Sequence, residues 1–147
     1  MPFTNMEWMK WGEPKRGDAV VFLFPRDPSL HYVKRVIGIP GDKIELNGTQ
    51  LSINGEVVKD ERVKDPETVA RVTGRNDYEG TLFQETLGGH TFYVAYSRSA
   101  KLKGEFGKFE LEKVPPDSYF MMGDNRDDSY DSRDIVTGKQ KIGRAHV

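Results

Sequence analysis

Tyr32-Val33-Lys34-Arg35-Val36-Ile37-Gly38-Ile39-Pro40-Gly41-Asp42 reads as one short strand closed by a Pro-Gly-Asp turn. Strand alternation places Tyr32, Lys34 and Val36 on one face and Val33, Arg35 and Ile37 on the other. Lys34 then stands between an aromatic ring and a branched aliphatic. Such company disfavours the ammonium and lowers the pKa of the amine. A free lysine titrates near ~10.4 and is no base at neutral pH, whereas one brought to about 7–8 is a competent base. The plainer reading is a strand lysine whose stem packs while its charge reaches water. On the strand alone, the plainer reading is the commoner one.

Around this strand the chain reads as mainly β. Ala19 to Phe24 is apolar on both faces, the pattern of a strand buried on two sides. After Asp42, a meander of short strands covers Lys43 to Leu46, Gln50 to Ile53 and Glu56 to Val58. Its turns are expected at Asn47-Gly48 and Asn54-Gly55, since both residue types accept positive φ. From Lys59 to Gly89, glycines and charges break the periodicity and no helical face recurs for long. His90 to Tyr96 returns to strand, Arg98 to Lys113 reads as a charged loop, and Val114 to Met122 is a proline-entered strand. The expected architecture is an antiparallel meander or barrel-like core, residues 1–58 and 114–147, with a variable β-rich lobe inserted at 59–113.

Composition narrows the class. Of 147 residues, 36% are hydrophobic and 31% charged, which suits a folded chain and not a disordered one. A net charge of −1, with both signs interspersed, gives no field to draw nucleic acid. The absence of cysteine excludes disulfides and thiolate chemistry, and His31, His90 and His146 lie too far apart for a short metal-ligand spacing. No metal or cofactor is expected. The longest apolar run, Ala19 to Phe24, is far short of the ~20 residues of a spanning helix. Phe3, Met6, Trp8, Met9 and Trp11 crowd the first twelve residues. Phe3, Trp8 and Trp11 suit contact with a membrane interface; equally, these residues suit covering the core of their own domain.

The last strand delivers Gly123-Asp124-Asn125-Arg126-Asp127-Asp128-Ser129-Tyr130-Asp131-Ser132-Arg133. Alternating Asp and Asn suit a hard cation, but the central Gly and closing Glu of an EF-hand are missing. The commoner role of interleaved Asp and Arg is a network of ion pairs that stiffens a loop. Ser129 has a hydroxyl that could orient a neighbouring lysine amine.

Three blocks, Arg16-Gly-Asp-Ala-Val-Val-Phe22, Tyr32 to Asp42 and Gly123 to Arg133, come in this order with a β meander between them. In that arrangement the chain resembles the type I signal peptidases, membrane-bound serine endopeptidases that remove signal peptides from exported bacterial proteins. The resemblance implies a Ser/Lys dyad in place of a Ser-His-Asp triad, with the lysine as general base. It puts that lysine at Lys34 and gives Ser129, with Tyr32, the part of supporting it. It makes Arg35 with Asp124, and Asp131 with Arg133, structural ion pairs, and leaves Gly123, Asn125 and Arg126 as loop scaffold. It further implies signal peptides of pre-proteins as substrates, bound as extended strands, a membrane surface as partner, and a catalytic domain on the outer face of the bacterial inner membrane.

Two departures accompany the matches. The family's nucleophile lies in a Ser-Met-x-Pro segment, and no serine of these 147 residues precedes Met-x-Pro. The sequence thus holds the base without the nucleophile, so the chain by itself is expected to be inactive. After Arg133, Asp134 to Ile142 stands where the family has an aromatic Trp-Gly-Phe-Val-Pro run. The competing readings are a catalytic domain cut downstream of its serine, an inactive homologue that keeps the peptide cleft, and a self-cleaving Ser/Lys repressor.

Overall fold

The computed structural model describes residues 13–24, 27–97, 108–126 and 131–133, with backbone alone at 22–24 and 27–32. The described chain is mainly β, and its antiparallel sheets are open rather than closed into a barrel. The first sheet has the order β1 (Ala19–Phe24), β2 (Asp27–Gly38), β10 (Phe120–Met122). The second runs β5 (Glu56–Val57), β4 (Gln50–Ile53), β3 (Ile44–Asn47), β9 (Lys108–Leu111). The third is β6 (Lys59–Arg62), β7 (Thr81–Leu87), β8 (His90–Tyr96).

Alternation along β2 splits its side chains as the sequence pattern requires. Ile37 enters the main core with Ile44, Leu51, Val114 and Phe120. Val36 faces the other way, into a smaller cluster with Met121, Val20, Ile39 and Tyr119. Among the described residues β1 is an edge strand with β2 as its sole partner, and the face of it that carries Val21 is open and not buried as the sequence pattern suggests. Val21 is 57% exposed and its cross-strand neighbour Val33 61%.

Three further elements differ from the sequence expectation. A helix, α1 (Pro66–Thr73), occupies the stretch where periodicity showed none. It is only about two turns long and fully buries no residue, so its apolar residues Val69 and Val72 are too few to show a recurring face, and its clearest signals lie at its ends. Asp65 caps it by accepting the Thr68 N–H at 3.0 Å, and Gly74 ends it at φ 74°. Strand β9 lies in the expected loop at 98–113, paired to β3 from Ile44↔Leu111 to Asn47↔Lys108. Strand β10 keeps only three of the nine residues from Val114 to Met122, since Pro115 and Pro116 have no N–H to give a ladder.

Turn chemistry is mixed. Asn54 and Gly55 have φ of 53° and 84°, the type I′ geometry that Asn-Gly encodes. The β3–β4 turn falls instead on Gly48-Thr49, because Asn47 is still paired with Gln50. Gly88-Gly89, which broke the pattern in sequence, are the two turn residues between Leu87 and His90, with φ of 60° and 85°.

Candidate active site

The Pro-Gly-Asp turn is fixed by its own carboxylate. Asp42 accepts the Ile39 N–H at 3.0 Å, the Asn54 amide at 3.0 Å, and the Arg16 guanidinium at 2.8 and 2.7 Å. Burial raises the Asp42 carboxyl, but these donors outweigh it and hold the group below the ordinary carboxylate range. Arg16 thus ties the first sequence block to the second. The β7–β8 turn is pressed against that first block. A Cβ on Gly17, at φ +89°, would sit 2.2 Å from the Leu87 carbonyl oxygen, and one on Gly88 2.0 Å from that of Arg16. Only glycine admits this approach. His90 Nε2 then meets Asp18 Oδ1 at 3.0 Å.

Lys34 is half-buried in the middle of β2, directly across from Val20. Directly opposed residues in antiparallel strands share a face. Lys34 therefore borders the apolar cluster of Val20, Val36 and Met121. Tyr32 is described in backbone only, paired with Phe22. Arg35, on the opposite face, donates to Asp124 from Nε at 3.0 Å and Nη2 at 2.8 Å, and to the Gly17 carbonyl from Nη1 at 2.8 Å. Its guanidinium lies 3.9 Å from the centroid of the Phe92 ring, a cation–π stack from β8.

The third block leaves β10 and runs alongside β8. The Ala95 N–H donates to the Asp124 carbonyl and the Arg126 N–H to the Ala95 carbonyl, both at 2.8 Å, around a parallel bridge between Ala95 and Asn125. Arg126 is 2% exposed. Its Nη2 donates to Glu85 Oε1 at 2.8 Å and its Nε to the Gly123 carbonyl at 3.1 Å. Burial pushes the Glu85 carboxyl above its ordinary value, against the pull of Arg126.

The far end of the block folds back on its start. The Met121 N–H donates to Ser132 Oγ at 2.9 Å and the Gly123 N–H to Asp131 Oδ2 at 3.1 Å. Arg133 donates to Asp131 at 2.9 and 2.8 Å, and its Nη2 to the Arg126 carbonyl at 2.6 Å. Burial raises the Asp131 carboxyl, but Arg133 and the Gly123 N–H more than offset it, so the group sits below the ordinary range. Arg126 and Asp131, the described residues on either side of 127–130, are therefore both held. Ser129 itself, Phe3, Trp8 and Trp11, and the altered segment 134–142 lie outside the described residues.

The sequence reading missed Glu85, Phe92 and the Arg16–Asp42 pair. For Glu85 a signal existed: it interrupts the apolar face of Phe83 and Leu87 on β7, and a lone charge on an inward face implies a buried partner. Among the described residues, no group of three or more His, Cys, Asp or Glu side chains could hold a metal. Among the same residues, no helix is long and apolar enough to cross a membrane.

Comparison with known proteins adds a second line of argument. The family model described as signal peptidase, peptidase S26 matches residues 3–147. Signal peptidase I of Pseudomonas aeruginosa is 35% identical over 140 residues, spanning 90% of this chain and 44% of that protein. Signal peptidase I of Rickettsia typhi is 40% identical over 144 residues, 90% of this chain and 51% of that protein. A solved signal peptidase I from Enterococcus faecalis shares 27% identity over 83% of this chain, at a TM-score of 0.43. The chain spans about half the length of these two curated relatives, at 44% and 51%. With a family model covering the sequence from residue 3 to its last residue, the chain belongs to the signal peptidase (peptidase S26) family.

Proposed function

We propose that this chain is the lysine-bearing part of a signal peptidase I, a serine endopeptidase that cleaves signal peptides from exported pre-proteins. In this reading it works at the outer face of the bacterial inner membrane. Lys34 is the general base. The observation that carries the reading is one of register: Lys34 pairs with Val20 on the strand face that also carries Val36, while the next residue, Arg35, is bound to Asp124 of the third block. A fixed neighbour holds the side chain in place, as a base needs. Neutral Lys34 accepts the proton of a serine hydroxyl as that oxygen attacks the scissile carbonyl; the resulting ammonium then protonates the leaving amine. Ser129 orients the amine through its hydroxyl. The serine nucleophile comes from a Ser-Met-x-Pro segment outside these 147 residues. Substrate lies in extended form, with main-chain hydrogen bonds supplying affinity and small side chains preceding the cleaved bond.

The test is Lys34→Ala in the full native protein, assayed on a signal-peptide substrate. The expected outcome is no measurable turnover with an unchanged unfolding midpoint; turnover near that of the parent removes Lys34 from the mechanism. Ser129→Ala is expected to lower kcat more than it raises KM, whereas an effect on KM alone denies it the orienting role. The second reading is a catalytically inactive peptide-binding homologue. The intact mass and N-terminal sequence of the native product separate the two. A product carrying the serine segment supports the peptidase; one beginning at Met1 supports the binding module.

A further inference from the structure

Glu85 and Phe92 are direct cross-strand partners on β7 and β8, and so share one face of the third sheet. Each holds a different arginine. Glu85 takes Arg126 of the third block at 2.8 Å, and the Phe92 ring takes Arg35 of β2 at 3.9 Å. Asp124 closes the figure, since it binds Arg35 through its carboxylate and Ala95 of β8 through its carbonyl. Resting on the foregoing assignment of Lys34, we infer that Glu85 and Phe92 are positioning residues of the active site, a two-residue seat that fixes β2 against the third block.

The physical case is one of direction. Arg126 lies buried, donates to Glu85 and to the Gly123 carbonyl, and interacts with Tyr96, so its carboxylate partner is one of the groups that fix where the loop backbone sits. Arg35 is planar and is held in its plane by Asp124 and the Gly17 carbonyl, and over its plane by Phe92. Three directions are thereby fixed for the residue that follows Lys34. Glu85 and Phe92 have no part in the chemistry itself in this reading; each acts through an arginine. A displacement of about 1 Å in such a frame can cost on the order of a hundredfold in rate.

The experiment uses the full native protein and a signal-peptide substrate, at a temperature well below every variant's unfolding midpoint. Glu85→Gln keeps the shape and removes the charge. It is expected to lower kcat about tenfold to a hundredfold while KM stays within about twofold, the pattern of lost transition-state geometry. Phe92→Leu keeps an apolar side chain and removes the ring under Arg35, with a smaller fall of about three- to tenfold in kcat and the same flat KM. Leu51→Ala, in the core of the second sheet, is the control: it should lower the midpoint at least as much while leaving kcat within about twofold. A kcat within about twofold of the parent in both folded site variants overturns the inference. Should Glu85→Gln fail to fold, Phe92→Leu decides alone. If Lys34→Ala is inactive while Glu85→Gln and Phe92→Leu work normally, the seat fails and the peptidase reading stands. If Lys34→Ala is itself active, that reading fails first.

Discussion

The second sheet and the loop 123–133 both lean on β2, through two residues of one face, and are held by different forces. Ile37 leads into the sheet, where Ile44, Leu46, Leu51 and Ile53 pack against Val114 and Phe120 with little polar content. Arg35 leads into the loop, where Asp124, Arg126, Asp131 and Arg133 are locked by charged hydrogen bonds. Apolar contact is non-directional and grows with the area removed from water, so a core of this kind tolerates volume-conserving exchange. A buried charge network is directional and fails when one member is left alone. The first region makes the fold. The second sets the geometry in which a base at Lys34 would work.

The largest expected effect breaks the polar side. Arg126→Ala would leave Glu85, itself 1% exposed, without its guanidinium. Loss of one partner of a buried pair costs about 3–5 kcal/mol. Chemical denaturation should show that loss at pH 7, and Glu85→Leu added to Arg126→Ala should recover part of it by removing the stranded carboxylate. A loss below about 1 kcal/mol for the single variant would place this pair among weak surface bridges.

A pH series tests the same side more gently. Asp131 and Asp42 both have carboxyls held below the ordinary range in the folded chain. Their contribution is therefore complete above the unfolded value of about 3.9 and is lost as pH falls below it through the lowered folded values. Asp131→Asn should cost about 1.5–3 kcal/mol at pH 7, the scale of hydrogen bonds to a charged group. It should also make stability fall less steeply below pH ~4, though not flatten it, since Asp42 remains. Parallel acid limbs for parent and variant would mean that Asp131 carries no such linkage.

How much was legible in the sequence follows the same division. Strand β4 and the Asn54-Gly55 turn were readable to the residue, because alternation and turn chemistry act between near neighbours. The Tyr32 to Asp42 stretch was readable as a strand and turn, but not the capture of Asp42 by Arg16, twenty-six positions away. Glu85 and Arg126 lie forty-one positions apart, and no local period links them. Helix α1 was hidden for another reason: at eight residues it is too short for an apolar face to recur, so its clearest evidence was Asp65, Pro66 and Gly74. Local patterning declares a core strand, whereas a polar site is assembled by topology.

The apolar side can be probed by a cycle whose outcome rests on a single methyl group. Gly38, at the end of β2, lies under Ile44, and a Cβ there would come within 2.7 Å of the Ile44 Cδ1 and 3.2 Å of a Val114 methyl. Its φ is not in the left-handed region, so alanine meets only crowding. Gly38→Ala should therefore cost about 1–3 kcal/mol by overpacking. Ile44→Val removes the Cδ1 atom and should cost about 0.5–1.5 kcal/mol on its own. Together the two changes exchange one methyl for another in the same space, so the double variant should be more stable than the sum of the single losses predicts by about 1 kcal/mol. Strict additivity in denaturant titrations would show that the strand end moves aside instead, and that the packing around Ile44 is looser than the contact distances imply. Neither Gly38 nor Ile44 makes any of the charged contacts that hold Arg35 and Arg126, so kcat of the full protein should be unchanged by all three variants, in contrast to any change at Arg126.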